Sequence, residues 1–170
     1  MKKVLLLITL LLTVFFNVNA QDEMPASVGE VIHWDFKMVY GDCDDATIII
    51  TVGQDKGWHI YAQEQPEGGV SQPTELTFKE SKNYKLVGRT KEYGAVLHGE
   101  ETKYQETIFD GKKAIFKQKI KIISTEDFEI NIDYFYMACL ESCFPPTGDD
   151  YNIKVKGFNE EDCVTEEPVN

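Results

Sequence analysis

Apolar and polar residues alternate with a period of two along most of this chain, and that period predicts strands. Trp34, Phe36, Met38 and Tyr40 alternate with His33, Asp35, Lys37 and Val39. Residues 47–52 form a β-branched run after an Asp44-Asp45 turn. Ala114, Phe116, Ile120 and Ile122 alternate with Lys117, Lys119 and Lys121, and Asp110-Gly111 predicts a hairpin turn into that strand. Phe128, Ile130, Ile132, Tyr134, Tyr136 and Ala138 share one face of a further strand, and Tyr151, Ile153 and Val155 alternate again beyond Thr147-Gly148-Asp149-Asp150. No segment carries a sustained apolar stripe of helical period. Short strands separated by turn signals predict an all-β, antiparallel β-sandwich.

Two cysteines stand between the last two of these strands, in Cys139-Leu140-Glu141-Ser142-Cys143-Phe144-Pro145-Pro146. If residues 140–142 form a three-residue hairpin loop, Cys139 and Cys143 face each other as its closing pair. Directly opposed residues have Cα atoms ~4.5–5.5 Å apart, within the ~4.4–6.8 Å that a disulfide needs. Closing a ring of about five residues gives only ~2 kcal/mol in the loop-entropy model, whereas bridging Cys43 to Cys163 would give roughly 4.9 kcal/mol. The short bridge is therefore a weak staple, and exposure at a turn favours a labile bond. Pro145 and Pro146 cannot donate to a ladder and hold the backbone just past the second sulfur. These residues alone leave a redox couple, a structural bridge, a metal pair and free thiols all open.

The ends of the chain bear on where such chemistry would occur. Met1-Lys2-Lys3, an apolar run over 4–16 and Val18-Asn19-Ala20 have the form of a secretory signal peptide cleaved after Ala20. The run is shorter than the ~20 residues of a membrane span, so no membrane insertion is expected after cleavage. An exported, periplasmic location is expected, where disulfides persist. Residues 21–28 form a lead-in and 159–170 an acidic tail, fraying unless Cys163 ties it down. Without Lys2 and Lys3 the chain has 15 basic and 29 acidic residues, a net charge of −14. That balance excludes a nucleic-acid partner, because phosphate binding rests on Lys and Arg. The remaining Cys43, in a Gly41-Asp42-Cys43-Asp44-Asp45 turn, and Cys163 can pair as a structural disulfide or stay free.

The cysteine segment resembles the N-terminal periplasmic domain of the thiol:disulfide interchange protein DsbD, whose cysteine pair also ends in Cys-aromatic-Pro-Pro. Lys56-Gly57-Trp58-His59-Ile60-Tyr61 is similar to the family's Gly-aromatic-x-aliphatic-Tyr strand. Pro73-Thr74-Glu75-Leu76-Thr77-Phe78 and Tyr84-Lys85-Leu86-Val87-Gly88 resemble the strands that follow it. The likeness runs from about Val31 to Val155, and the spacing between the cysteines is shorter here than in the family. The resemblance implies an immunoglobulin-like fold over 29–158 and thiol–disulfide exchange without a cofactor. Cys143 would form the mixed disulfide and Cys139 would resolve it. It further implies a cap over the pair from the region 90–104, with Glu92, Tyr93 and Gly94 as candidates, and shielding by Phe144, His59 and Tyr61. Implied partners are thioredoxin-like proteins or a DsbD-type membrane reductase, met by a monomer. Glu141, between the sulfurs, would raise the pKa of a nearby thiol.

Three rival readings bear on the same residues. Zinc could draw on Cys139 and Cys143 with His33, His59 or His98, but structural zinc sites use tighter spacings such as Cys-x-x-Cys, so no metal is expected. No Gly-x-Ser-x-Gly supports a hydrolase. A non-catalytic, disulfide-stapled binding or adhesion module remains the main alternative; it predicts a buried, inert bridge.

Overall fold

The computed structural model describes residues 24–99, 104–111 and 113–163. The expected signal peptide, the first part of the lead-in and residues 164–170 lie outside them. Eleven strands are found among the described residues: β1 (Ile32–Tyr40), β2 (Asp45–Gln54), β3 (His59–Tyr61), β4 (Glu75–Phe78), β5 (Tyr84–Tyr93), β6 (Val96–His98), β7 (Glu106–Asp110), β8 (Ala114–Ile122), β9 (Phe128–Tyr136), β10 (Ala138–Cys139) and β11 (Thr147–Val155). They form three antiparallel sheets, ordered β1-β2-β8-β5, β10-β3-β7-β6 and β11-β9-β4.

The alternation read from the sequence is the alternation of burial. Ala46, Ile48, Ile50 and Val52 of β2 are buried, as are Ala114, Phe116, Ile120 and Ile122 of β8. Opposite them stand Ile130 and Ile132 of β9, Ile60 of β3 and Phe109 of β7, so all three sheets fill one core. A wholly buried side chain such as Phe116 stabilises by ~1.5–3 kcal/mol relative to its exposed state. The core thus joins the large sheet to the two smaller ones as the layers of a sandwich.

One turn expectation is corrected. Asp110-Gly111 does not make a hairpin, because β7 and β8 belong to different sheets and the chain crosses the sandwich there. Gly111 serves that crossing with φ +56°, a left-handed conformation that is easy for glycine. Residues 147–150 belong to a strand together with Tyr151, Ile153 and Val155. They begin β11, whose register with β9 runs from Val155↔Phe128 to Thr147↔Tyr136. The connection between β9 and β11 is therefore the ten-residue excursion 137–146, and the cysteine pair lies inside it.

The second disulfide lies away from this excursion. Cys43, in the turn between β1 and β2, is bonded to Cys163. The tail reaches it through Phe158, whose N–H donates to the Ser124 carbonyl at 2.8 Å and whose ring packs on the core. Asn159 Oδ1 then accepts from Glu161 N at 3.3 Å and caps a short 3-10 turn, Glu160–Asp162.

Candidate functional site

The excursion folds back on an exposed sheet edge. Its first residues form β10, which pairs Ala138↔Ile60 and Cys139↔His59 with β3. Cys139 and Cys143 then bridge as an isolated antiparallel pair. The Leu140 N–H donates to the Ser142 carbonyl at 3.0 Å, and the Phe144 N–H to the Ala138 carbonyl at 2.9 Å. This is the three-residue loop expected from the spacing, nested within the wider β9–β11 connection. The sulfurs are bonded, with Cα atoms 4.0 Å apart.

The two cysteines have opposite surroundings. Cys139 is 2% exposed and packs with Tyr61, Ile108 and Met137. Cys143 is exposed, as is Glu141 between them. Cys143 is therefore open to solvent, while Cys139 is reached only through the protein.

Polar side chains converge on the buried sulfur. The Tyr61 hydroxyl donates to Cys139 Sγ at 3.3 Å. His59 Nε2 lies 3.4 Å from the Tyr61 oxygen, and the two rings meet edge to face with centroids 5.4 Å apart. Burial, then His98, lowers the pKa of His59, against weaker opposing effects of Asp110 and Glu106 and a hydrogen bond to the Gly57 backbone. Burial raises the pKa of Tyr61, with Glu106 adding and a hydrogen bond from Ser71 opposing. The register explains this grouping. His59 pairs Asp110 and Tyr61 pairs Ile108, while His98 pairs Glu106. Residues two apart on a strand share a face, so Cys139, His59, Tyr61, Glu106, Ile108, Asp110 and His98 occupy one face of this sheet. Ile60, Phe109 and Ala138 face the core instead.

The loop beside the sulfurs rests on an apolar floor. Phe144 stacks on buried Trp58 with centroids 5.3 Å apart. Gly57 has φ +85°, and a Cβ there would stand 2.8 Å from Leu140 Cδ1, so the glycine both makes the turn and admits Leu140. Trp58, Leu140, Ser71 and Glu106 were not singled out as site residues from the sequence, and His98 was weighed only as a zinc ligand. Trp58 adjoins His59 and Leu140 lies between the cysteines in the quoted segments, whereas His98 and Glu106 reach the site through strand pairing and Ser71 through a distant loop, which no local pattern reveals.

The residues expected to cap the pair lie in other contacts. Glu92 and Tyr93 are the last two residues of β5. The Glu92 carboxylate accepts from Gln63 N at 2.8 Å, and its pKa is raised chiefly by burial. Lys117 Nζ stands 5.2 Å from the centroid of the Tyr93 ring. Gly94, with φ +99°, turns the chain toward β6. No hydrogen bond or ring contact among the described residues joins these three to the cysteines. A groove of about 790 Å³ beside Glu92, lined by Leu76, Phe78, Leu86 and Arg89, also includes neither cysteine. Among the described residues no three His, Cys, Asp or Glu side chains are grouped to hold a metal. No helix among them is long and apolar enough to cross a membrane.

With this geometry in view, solved structures supply the comparison. The reduced N-terminal domain of DsbD from Neisseria meningitidis superposes with a TM-score of 0.50 at 14% identity, covering 83% of this chain and 97% of that one. The fold is that of the DsbD N-terminal domain. The N-terminal periplasmic domain of ScsB from Proteus mirabilis gives a TM-score of 0.51 at 17% identity, covering 81% of this chain and 51% of that one. The chain is thus an immunoglobulin-like antiparallel β-sandwich of the DsbD N-terminal type, with a disulfide between Cys139 and Cys143. No protein-family model matches the chain, and no curated protein matches it in sequence.

Proposed function

We propose that this protein is an exported thiol–disulfide exchange domain that passes electrons through the Cys139/Cys143 couple, between a thioredoxin-like or DsbD-type membrane donor and oxidised acceptors. The observation that carries the reading is the asymmetry of the pair: an exposed Cys143 bonded to a buried Cys139 on a sheet edge. The donor's thiolate attacks Cys143 Sγ, the Cys139–Cys143 bond breaks, and its electron pair leaves on Cys139. The donor's second thiolate then attacks its own sulfur in the mixed disulfide and releases Cys143 as a thiolate. Two electrons have moved, and protons from solvent complete the two thiols. In the reverse sense Cys143 attacks an acceptor disulfide and Cys139 resolves the product. Shielding falls to Phe144 on Trp58, with Tyr61 and His59 behind Cys139. The Cys43–Cys163 bridge has a structural role and takes no part in exchange.

The test is exchange with a reduced thioredoxin-like protein. The oxidised protein should accept two electrons per molecule at Cys139–Cys143 while Cys43–Cys163 stays oxidised. Against an oxidised thioredoxin-like protein, Cys139→Ser should attack the partner's disulfide through Cys143 and accumulate the mixed disulfide, and Cys143→Ser should not. If the short bridge stays oxidised in the folded protein under excess dithiol, the chain is a stapled binding module instead.

A further inference from the structure

The polar chain behind the disulfide has more order than shielding requires. Tyr61 carries one hydroxyl hydrogen and faces two groups that can take it: Cys139 Sγ at 3.3 Å and His59 Nε2 at 3.4 Å. A sulfur in a disulfide is a weak acceptor, whereas a thiolate accepts strongly because it is charged. Opening the disulfide at Cys143 places that charge on Cys139, which is buried among Tyr61, Ile108 and Met137. A buried thiolate without a donor is costly. Among the described residues, the Tyr61 hydroxyl is the side-chain donor that hydrogen-bonds this sulfur.

Resting on the thiol-exchange reading, we propose that Tyr61 and His59 form a donor relay for the Cys139 leaving group. Tyr61 commits its O–H to the Cys139 thiolate as the S–S bond breaks, and His59 Nε2, on taking a proton from solvent, donates to the Tyr61 oxygen. Tyr61 touches the reacting sulfur and is a catalytic residue; His59 acts through it and is a positioning residue. The bookkeeping closes within the exchange step. The electron pair of the broken bond stays on Cys139, the phenolic hydrogen stays on Tyr61 as an O–H···S⁻ bond, and the proton gained by His59 comes from solvent.

The tautomer decides the role of His59. Nε2 faces the Tyr61 oxygen at 3.4 Å, so a neutral ring with its hydrogen on Nδ1 presents Nε2 as an acceptor, competing with Cys139 for the Tyr61 hydrogen. Protonation turns Nε2 into a donor and releases the Tyr61 hydrogen to sulfur. The ionisable and charged groups facing His59 are Tyr61 on its own strand, Cys139 on β10, Asp110 and Glu106 on β7, and His98 on β6. Burial and His98 favour the neutral ring, so the switch operates on the acid side of the ordinary histidine range.

The experiment follows reduction of the oxidised protein by dithiothreitol from about pH 5 to about pH 8, with rates corrected for the reagent's thiolate fraction. Tyr61→Phe should slow reduction about tenfold, the scale of one hydrogen bond to a charged group. The corrected wild-type rate should rise as pH falls, and His59→Phe should flatten that rise. His59→Gln, which does not titrate, should also be flat. The double variant should match Tyr61→Phe alone, because His59 acts only through Tyr61. Equal rates for wild type and Tyr61→Phe, or additive losses in the double variant, would overturn the relay. Should Tyr61→Phe fail to fold by circular dichroism, the two His59 profiles decide, and a rise retained in both refutes the proposal. A wild-type disulfide that resists dithiothreitol altogether would instead remove the exchange reading itself.

Discussion

Glu92 shows how a single residue couples the fold to pH. Its carboxylate is half-buried at the end of β5 and accepts from the Gln63 N–H, and its pKa is raised first by burial and then by Glu64. A carboxyl whose folded-state pKa lies above its unfolded value binds more protons in the folded state. Its contribution to stability is whole below the unfolded pKa and is lost as pH rises through the folded one. Glu92→Gln keeps an acceptor for Gln63 and removes the charge. The variant should therefore gain stability relative to wild type as pH rises from about 4 to about 7, read as the difference in urea midpoints. A pH-independent difference would show that the carboxylate carries no burial penalty.

Strand β5 departs from a regular ladder, and a residue on its neighbour explains how the departure is tolerated. Val87 pairs Lys119 and Lys91 pairs Lys117, so Gly88, Arg89 and Thr90 all face Gln118. Gln118 is 2% exposed within the inward row of β8. Its amide donates to the Lys119 carbonyl at 2.8 Å and lies 3.4 Å from that of Gly88, while its oxygen accepts from the Thr90 hydroxyl at 2.8 Å. Gly88, at φ +69°, supplies the left-handed turn of the bulge. Replacing Gln118 by Leu keeps volume but strands the Thr90 hydroxyl and the bulge carbonyls. Such losses cost ~1–3 kcal/mol, so urea unfolding should show a destabilisation of that order. An unchanged midpoint would mean that water replaces the amide.

At the scale of the molecule, the two disulfides close loops of very different length. Cys139–Cys143 spans 4 residues and Cys43–Cys163 spans 120. In the loop-entropy model the long closure is worth roughly 4.9 kcal/mol and the short one ~2 kcal/mol. The long bridge ties the β1–β2 turn to the C-terminal segment, which also holds to the body through Lys156, Gly157 and Phe158. Replacing Cys43 and Cys163 together by Ser should lower stability by about 2–5 kcal/mol in denaturant unfolding and leave dithiol exchange at Cys139–Cys143 unchanged. Loss of exchange in the folded double variant would contradict the structural role proposed for the long bridge.

What the residues determined by themselves was local. A period of two with β-branched runs produces strands wherever one face must be buried, so β1, β2, β8 and β9 were legible from alternation. The three-residue spacing likewise sufficed for Cys139 to face Cys143. Tertiary structure decided which strands pair. Asp110-Gly111 has the chemistry of a hairpin turn, but Phe109 and Phe116 are both buried on facing layers of the core, and burying both sends the chain across the sandwich. Pairing of residues 78 positions apart brought the Tyr61 hydroxyl to Cys139. The β3–β7 and β6–β7 pairings set Glu106 and His98 on the face of His59, and the β5–β8 pairing placed Glu92 and Tyr93 opposite Phe116 and Ile115. A strand's own pattern specifies the faces it buries, whereas its neighbours are set by how all the buried faces share one core.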